Sequence, residues 1–400
     1  MRKNRKRIRN EITADKKRIK TAGRGKIIEI GGNMEKILVV CTTDSMIWNF
    51  LVPHILDLQQ KGFTVECACS ETGDFFSKLR NEFSFRMYRM NFQRSPYDFR
   101  NFGAYRQLKK LIQKEKYDTV FCHEPVGGLM GRLAGKKCGC RVIYMAHGFH
   151  FYEGAPALKR FLYYHAEKFL SKYTDVLITI NREDYEAAKS FHAREIYKVD
   201  GIGVDTSKFV YAPDPRYLRR ELGLSERDFL VLSVGELIPR KNHETVMRAL
   251  LRLDLKNVHY IVAGDGEGRE ELKHFIEERG LSEQVHLLGF RRDIGTLCNS
   301  ADLFALPSVH EGLSVALMEA MACGKPVVAS RIRGNTDLID EGMGGYLVET
   351  FDAKGYAEAI EKLALNGEKR KAFSSYNRNK VKSFDLRVVR GQLQKILTGQ

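Results

Sequence analysis

From residue 35 onward the chain alternates short β-branched runs with amphipathic stretches, and this alternation sets the narrowest limit on its fold. The runs are KILVVC (36–41), FTVECAC (63–69), DTVFC (118–122), RVIYMAH (141–147) and DVLITI (175–180). Between them lie helical patterns such as 50–60 and 105–116, the latter with Leu108, Leu111 and Ile112 on one face. Such a pattern predicts a parallel sheet with helices on both faces and ligands bound beyond the C-terminal strand ends. The pattern breaks at GIGVDTSKFVYAPDP (201–215) and then restarts with FLVLSVG (229–235), VHYIVAG (258–264), VHLLGF (285–290), ADLFALPS (301–308) and KPVVAS (325–330). Helical patterns intervene at 243–253, 268–279, 313–322 and 357–364, and a last one covers 386–397. We therefore expect two tandem doubly wound α/β domains facing a cleft, at 34–205 and 206–380, followed by a C-terminal helix in 381–400 that packs back on the first domain.

The formal charge of +16 is unevenly distributed. Residues 1–33 carry twelve basic and three acidic side chains, so more than half the excess lies there. A general inference of nucleic-acid binding would thus rest on one segment. That segment has three readings: a disordered basic arm that touches anionic lipid or nucleic acid, an inert extension, or untranslated sequence ahead of a true start at Met34. The third follows from Gly31-Gly32, whose codons can spell a purine-rich ribosome-binding run. No apolar run approaches the ~18 residues needed to span a bilayer, and the first thirty residues lack a signal-peptide core. We expect neither an integral membrane protein nor a secreted one. The eight cysteines include no C-x2-C pair, and the pairs 67/69 and 138/140 lack partner pairs nearby. Reduced thiols in a cytoplasmic protein are expected, with no structural zinc.

The chemistry concentrates in PSVHEGLSVALMEAMACGKP (307–326). A strand ends near Leu306, a turn carries Glu311 and Gly312, and a helix begins near Leu313 and Ser314. The amides of Gly312, Leu313 and Ser314 then face outward at a helix N-terminus, where a phosphate can sit. Glu311 and Glu319 lie two turns apart on one side, and ionised carboxylates accept hydrogen bonds from sugar hydroxyls. Glu319 stands in an otherwise apolar helix, where a carboxylate without partners is costly. After another strand, Gly235 is followed by Arg240 and Lys241, two cations suited to a diphosphate. Gly264 and Gly266 form only a weak glycine fingerprint. His147 and His150 end a first-domain strand; His123 and the loop with Thr43 and Asp44 end two others. A lone histidine is more often structural, and His150 is read so.

The motif H-E-G-L-S-x-A-L-M-E-A-M-A-C-G-K-P-V-V, with Glu311-x7-Glu319, resembles the hallmark of the retaining nucleotide-sugar glycosyltransferases of family 4, in particular the bacterial capsular and exopolysaccharide enzymes. The resemblance covers residues 35 to about 380. It implies the GT-B fold of two Rossmann-like domains and sugar transfer from a nucleoside diphosphate, with UDP as nucleotide and retention at the anomeric carbon. It implies catalytic roles for Glu311, His147, Arg240 and Lys241. Glu311 holds donor-sugar hydroxyls, Glu319 the ribose hydroxyls, and His147 reaches the sugar from the other domain. Gly235, Gly264, Gly266, Phe290, Arg291, Gly312, Leu313 and Ser314 line the donor pocket, and Thr43, Asp44 and His123 face the acceptor. The family places an Arg directly after the glycine where this chain has Glu236, so Arg240 takes that part. With no Asp-x-Asp motif in the chain, neither a metal nor another cofactor is expected. The implied acceptor is a glycan or lipid-linked oligosaccharide at the inner membrane face. The basic, Tyr/Phe-rich stretch 158–172 reads either as an interfacial surface for peripheral attachment or as an ordinary amphipathic core helix. Nucleotide-sugar epimerase or hydrolase chemistry and a basic nucleic-acid-binding protein are the alternatives; the Glu-x7-Glu motif argues against the first, and the lack of a basic-aromatic motif outside the tail against the second.

Overall fold

The computed structural model describes residues 35–209 and 214–399. The expectations for the basic segment 1–33, and part of the linker expected at 201–215, fall outside them. Seven parallel strands form the first sheet: β1 (Lys36–Thr43), β2 (Thr64–Ser70), β3 (Met87–Arg89), β4 (Thr119–His123), β5 (Arg141–Ala146), β6 (Val176–Thr179) and β7 (Glu195–Lys198). Their order is β3-β2-β1-β4-β5-β6-β7. Six more form the second: β8 (Phe229–Val234), β9 (Val258–Ala263), β10 (Val285–Gly289), β11 (Leu303–Leu306), β12 (Val327–Ser330) and β13 (Gly345–Val348), ordered β10-β9-β8-β11-β12-β13. All pairings are parallel. β4, β9, β11 and β12 are buried along their whole length, as a sheet covered on both faces requires.

Ten of these strands follow the β-branched runs. β3, β7 and β13 do not stand out in the sequence because they are edge strands of three or four residues. Met-Tyr-Arg and Glu-Ile-Tyr-Lys carry charges that keep an edge from pairing further. Each sheet reverses its strand order once, between β1 and β4 and between β8 and β11. A doubly wound sheet opens a crevice at that point, beyond the C-terminal strand ends.

The helix Leu386–Thr398 turns its buried Val389, Leu393 and Leu397 into the same apolar cluster as Ile55 and Leu58 of the helix Val52–Gln60. Arg390 reaches Asp57 Oδ1 at 2.5 Å, and Arg141 donates to the Leu397 carbonyl at 2.6 Å. All eight cysteines are free thiols, seven of them buried. Among the described residues, no helix is long and apolar enough to cross a membrane.

Candidate active site

The crevice between β8 and β11 holds a cluster of three charged side chains, Arg240, Lys241 and Glu311. β8 delivers Gly235 and then a short 3-10 turn, Pro239–Lys241; β11 delivers the loop 307–314. The two loops are laced together: Val309 N–H donates to the Arg240 carbonyl at 2.8 Å, and Asn242 Nδ2 to the Pro307 carbonyl at 3.0 Å. Lys241 Nζ lies 2.7 Å from Glu311 Oε1, and Arg240 Nη1 lies 3.3 Å from the same oxygen. Burial raises the Glu311 carboxyl pKa, but Lys241 and Arg240 outweigh it, and the net shift is downward. Glu311 is therefore ionised at neutral pH. A Cβ on Gly235 would stand 3.2 Å from Lys241 Cε, so the missing side chain leaves room for the lysine stem. Glu236 is exposed, so the two cations of this loop are Arg240 and Lys241.

The helix Val315–Ala322 starts at Ser314, whose Oγ accepts from Leu317 N–H at 3.3 Å. Among the described residues, the amides of Gly312, Leu313 and Ser314 meet no protein acceptor, so three donors are left open in the segment that follows Glu311. Glu319 lies on this helix with no hydrogen-bond or ion-pair partner among the described residues, and burial pushes its carboxyl up to about 7. Gly312 has a second task besides any phosphate contact. A Cβ there would lie 1.9 Å from the His147 carbonyl oxygen, so the first domain's backbone occupies that space.

The remaining glycines in the crevice act on loop packing. A Cβ on Gly264 would fall 1.8 Å from the Gly235 carbonyl oxygen, and one on Gly266 2.7 Å from that of Leu237. Both let the loop after β9 lie against the loop that carries Arg240 and Lys241. Phe290 is exposed at the end of β10. The Arg291 guanidinium is taken up by Glu221 (2.6 Å), Asp293 (2.6 Å) and the Tyr217 hydroxyl (3.0 Å), which leaves only its backbone to face a base.

In the first domain, His147 Nε2 lies 3.0 Å from His123 Nδ1, each at the end of a central strand. Burial, with His54 adding to it, lowers the His147 pKa to about 4, and burial with His147 lowers that of His123. Both rings are neutral at pH 7 and act as hydrogen-bonding groups. Thr43 donates through N–H (3.0 Å) and Oγ1 (3.1 Å) to Glu124, which carries φ +61° at the reversal between β1 and β4. Asp44 is placed differently from the expectation of an acceptor contact. It is fully buried and accepts from Thr72 Oγ1 (2.5 Å) and Phe76 N–H (2.9 Å), which fastens the helix Phe75–Glu82. Its oxygens are spent on the fold.

Sequence reasoning missed the residues that close the seam between the domains. Arg333 Nη1 pairs with Asp184 Oδ1 at 2.7 Å, both buried. The same guanidinium donates to the Glu311 carbonyl (3.2 Å) and meets His310 Nε2 (2.6 Å). Asn181 Nδ2 donates to the Gly312 carbonyl at 3.2 Å, and the Tyr152 and His310 rings lie 4.0 Å apart. The available signal was positional: Arg333 follows β12 beside Gly334, a strand end next to the crevice. Beside the seam, a cavity of about 750 Å³ is lined by Tyr152, Arg160, Phe161, Tyr164, Glu183 and Asp184 among others.

Two parallel, doubly wound domains with a charged crevice at their seam define a GT-B architecture. Solved structures similar to it include Anabaena Alr3699/HepE, determined with UDP and with UDP-glucose. The UDP complex superposes with a TM-score of 0.78 at 20% identity, covering 92% of this chain and all of that one. Residues 36–181 match the family described as "Glycosyl transferase 4-like", and residues 216–380 the family described as "Glycosyl transferases group 1". EpsD of Bacillus subtilis (strain 168), which carries a glycosyltransferase name, is 36% identical over 338 residues, 82% of this chain and 87% of EpsD. An Escherichia coli protein named UDP-Gal:alpha-D-GlcNAc-diphosphoundecaprenol alpha-1,3-galactosyltransferase is 33% identical over 266 residues, 63% of this chain and 68% of its own length. The chain belongs to the family 4, group 1 glycosyltransferases of GT-B fold.

Proposed function

We propose that this glycosyltransferase moves a sugar from a UDP-sugar to a lipid-linked glycan during exopolysaccharide synthesis, with retention at the anomeric carbon. The observation that carries the reading is the Glu311–Lys241–Arg240 cluster, set beside three amides without a protein acceptor among the described residues, at the β8/β11 reversal. As the glycosidic C–O bond breaks, negative charge grows on the diphosphate. Lys241, Arg240 and the amides of Gly312, Leu313 and Ser314 are preorganised to meet it, which favours the transition state over the ground state. No metal ion is assigned to that step. Glu311, kept ionised by the same cations, accepts from donor-sugar hydroxyls, and Glu319 takes the ribose hydroxyls as the partners its buried carboxylate lacks. Neutral His147, steadied by His123, positions the sugar from the first domain, and Thr43 with Glu124 faces the acceptor. The UDP-glucose complex of HepE and the lipid-diphosphate acceptor in the name of the E. coli relative support the choice of donor and acceptor.

A thermal-shift series with UDP-, GDP- and other nucleotide-sugars tests it, since a ligand that binds only the folded state raises its melting temperature. UDP and a UDP-sugar are expected to raise it and GDP to leave it unchanged. A shift from no nucleotide, or equal shifts from all, contradicts the reading.

A further inference from the structure

The register of the first sheet brings two histidines together. In the parallel pair β4 and β5, His123 lies opposite Met145, and His147 follows two residues further on. The rings therefore meet at the C-terminal ends of neighbouring strands, with His147 Nε2 3.0 Å from His123 Nδ1 and the ring centroids 5.3 Å apart. Both rings are neutral at pH 7, so one N–H and one bare nitrogen share this hydrogen bond. The backbone that carries His147 is pressed against the loop after β11, since a Cβ on Gly148 would stand 3.0 Å from Gly312 Cα.

Which ring donates is settled by the nitrogens outside the bond. His123 is fully buried, and its Nε2 has no hydrogen-bond partner among the described residues. The Phe121 ring, 4.2 Å away between centroids, offers only a weak π acceptor. A proton on that nitrogen would be an orphaned buried N–H, the rarer kind of unpaired group, whereas a bare nitrogen there is merely an under-used acceptor. His123 therefore carries its proton on Nδ1 and donates it to His147 Nε2. His147 must then carry its own proton on Nδ1. That nitrogen has no protein partner among the described residues and, unlike His123 Nε2, is not sealed from solvent.

We propose that His123 is a positioning residue that fixes the tautomer of His147, so that His147 offers Nδ1–H, a hydrogen-bond donor, to an oxygen of the donor sugar. The inference rests on the reading that His147 meets that sugar. It gives the two domains opposite parts: ionised Glu311 accepts from sugar hydroxyls on one side, and His147 donates on the other. A histidine free to exchange tautomers would spend part of its time presenting a bare nitrogen, which repels the same oxygen lone pair.

The test is long-range proton–nitrogen NMR correlation on the full chain labelled in its histidine rings, which reads the nitrogen that carries each proton. His147→Gln identifies the His147 signals by their loss. The parent is expected to show His147 protonated on Nδ1 and bare on Nε2. A proton on Nε2 overturns the proposal, and this arm needs no variant to fold. His123→Phe should move the His147 proton wholly or in part to Nε2, and His123→Asn, whose amide N–H stands where Nδ1 stood, should return it to Nδ1. An unchanged His147 in His123→Phe would mean that His123 does not set the tautomer, and would also overturn it. UDP-glucose or UDP-galactose should shift the His147 Nδ1 signal of the parent, and UDP alone should not. A signal that responds to neither sugar, beside an intact UDP thermal shift, refutes the sugar contact and the proposal with it while the nucleotide reading stands. Loss of the UDP thermal shift in the parent refutes the nucleotide reading itself.

Discussion

Glu311 and Glu319 stand in one motif, yet their surroundings drive them apart. Two cations hold Glu311 ionised against burial, while Glu319 meets burial alone and rises from 4.5 to about 7. The sign of the consequence for Glu319 is fixed. A carboxyl whose pKa is raised on folding favours the fold when protonated, so that contribution is full below 4.5 and is lost as pH rises through about 7. Glu319→Gln should therefore be more stable than the parent at pH 8 and equal to it below pH ~4.5, as measured by chemical denaturation at both values. On the proposed donor reading, this carboxylate accepts from two ribose hydroxyls best when ionised. Donor affinity in the parent should thus fall as pH drops below about 7, and this dependence should vanish in Glu319→Gln. Lys241→Ala and Glu319→Ala should each lower turnover by ~100-fold or more, the scale of removing one preorganised stabilising group. Near-normal rates in both would refute the site assignment.

At the scale of elements, the loops after β8, β9 and β11 work as one unit because glycines let their backbones touch. Gly264→Ala would drive a Cβ into the Gly235 carbonyl and move the loop that carries Arg240 and Lys241. We expect a stability loss of about 1–3 kcal/mol with a weaker UDP shift, read by denaturation and thermal shift. Ten strands, the Glu-x7-Glu helix and the Arg-Lys pair were legible because apolar β-branched runs and charge mark them locally. Edge strands β3, β7 and β13 were not, since their few residues mix polar, charged or glycine positions with apolar ones and form no such run. The burial of Asp44 was hidden for a related reason: a carboxylate at a strand end looks the same in sequence whether it faces a ligand or fastens a helix that follows another strand. Gly264 and Gly266 were seen as nucleotide-facing, but their role in loop contact depends on neighbours far along the chain.

Over the whole molecule, the two domains share one apolar cluster and are pinned at the seam by polar contacts. Arg333 joins Asp184 of one domain to the Glu311 loop of the other, and the His147 carbonyl fills the space that Gly312 leaves. Sequence could not reveal this pairing, because Asp184 and Arg333 lie 149 residues apart. Arg333→Ala would leave Asp184 buried without its partner, at a cost of about 3–5 kcal/mol. Equilibrium unfolding should show that loss, and turnover should fall with it as His147 and Glu311 lose register. A variant of parental stability would mean that the seam is held elsewhere.

The central claim is that the Glu311–Lys241–Arg240 crevice receives a nucleoside diphosphate, and calorimetric titration of UDP against uridine tests it most directly. The parent should bind UDP more tightly than uridine by about tenfold or more, and Lys241→Ala should lose most of that preference, because the difference between the ligands is the charge the lysine meets. Equal binding of UDP and uridine by the parent, or an undiminished preference in the variant, would contradict it.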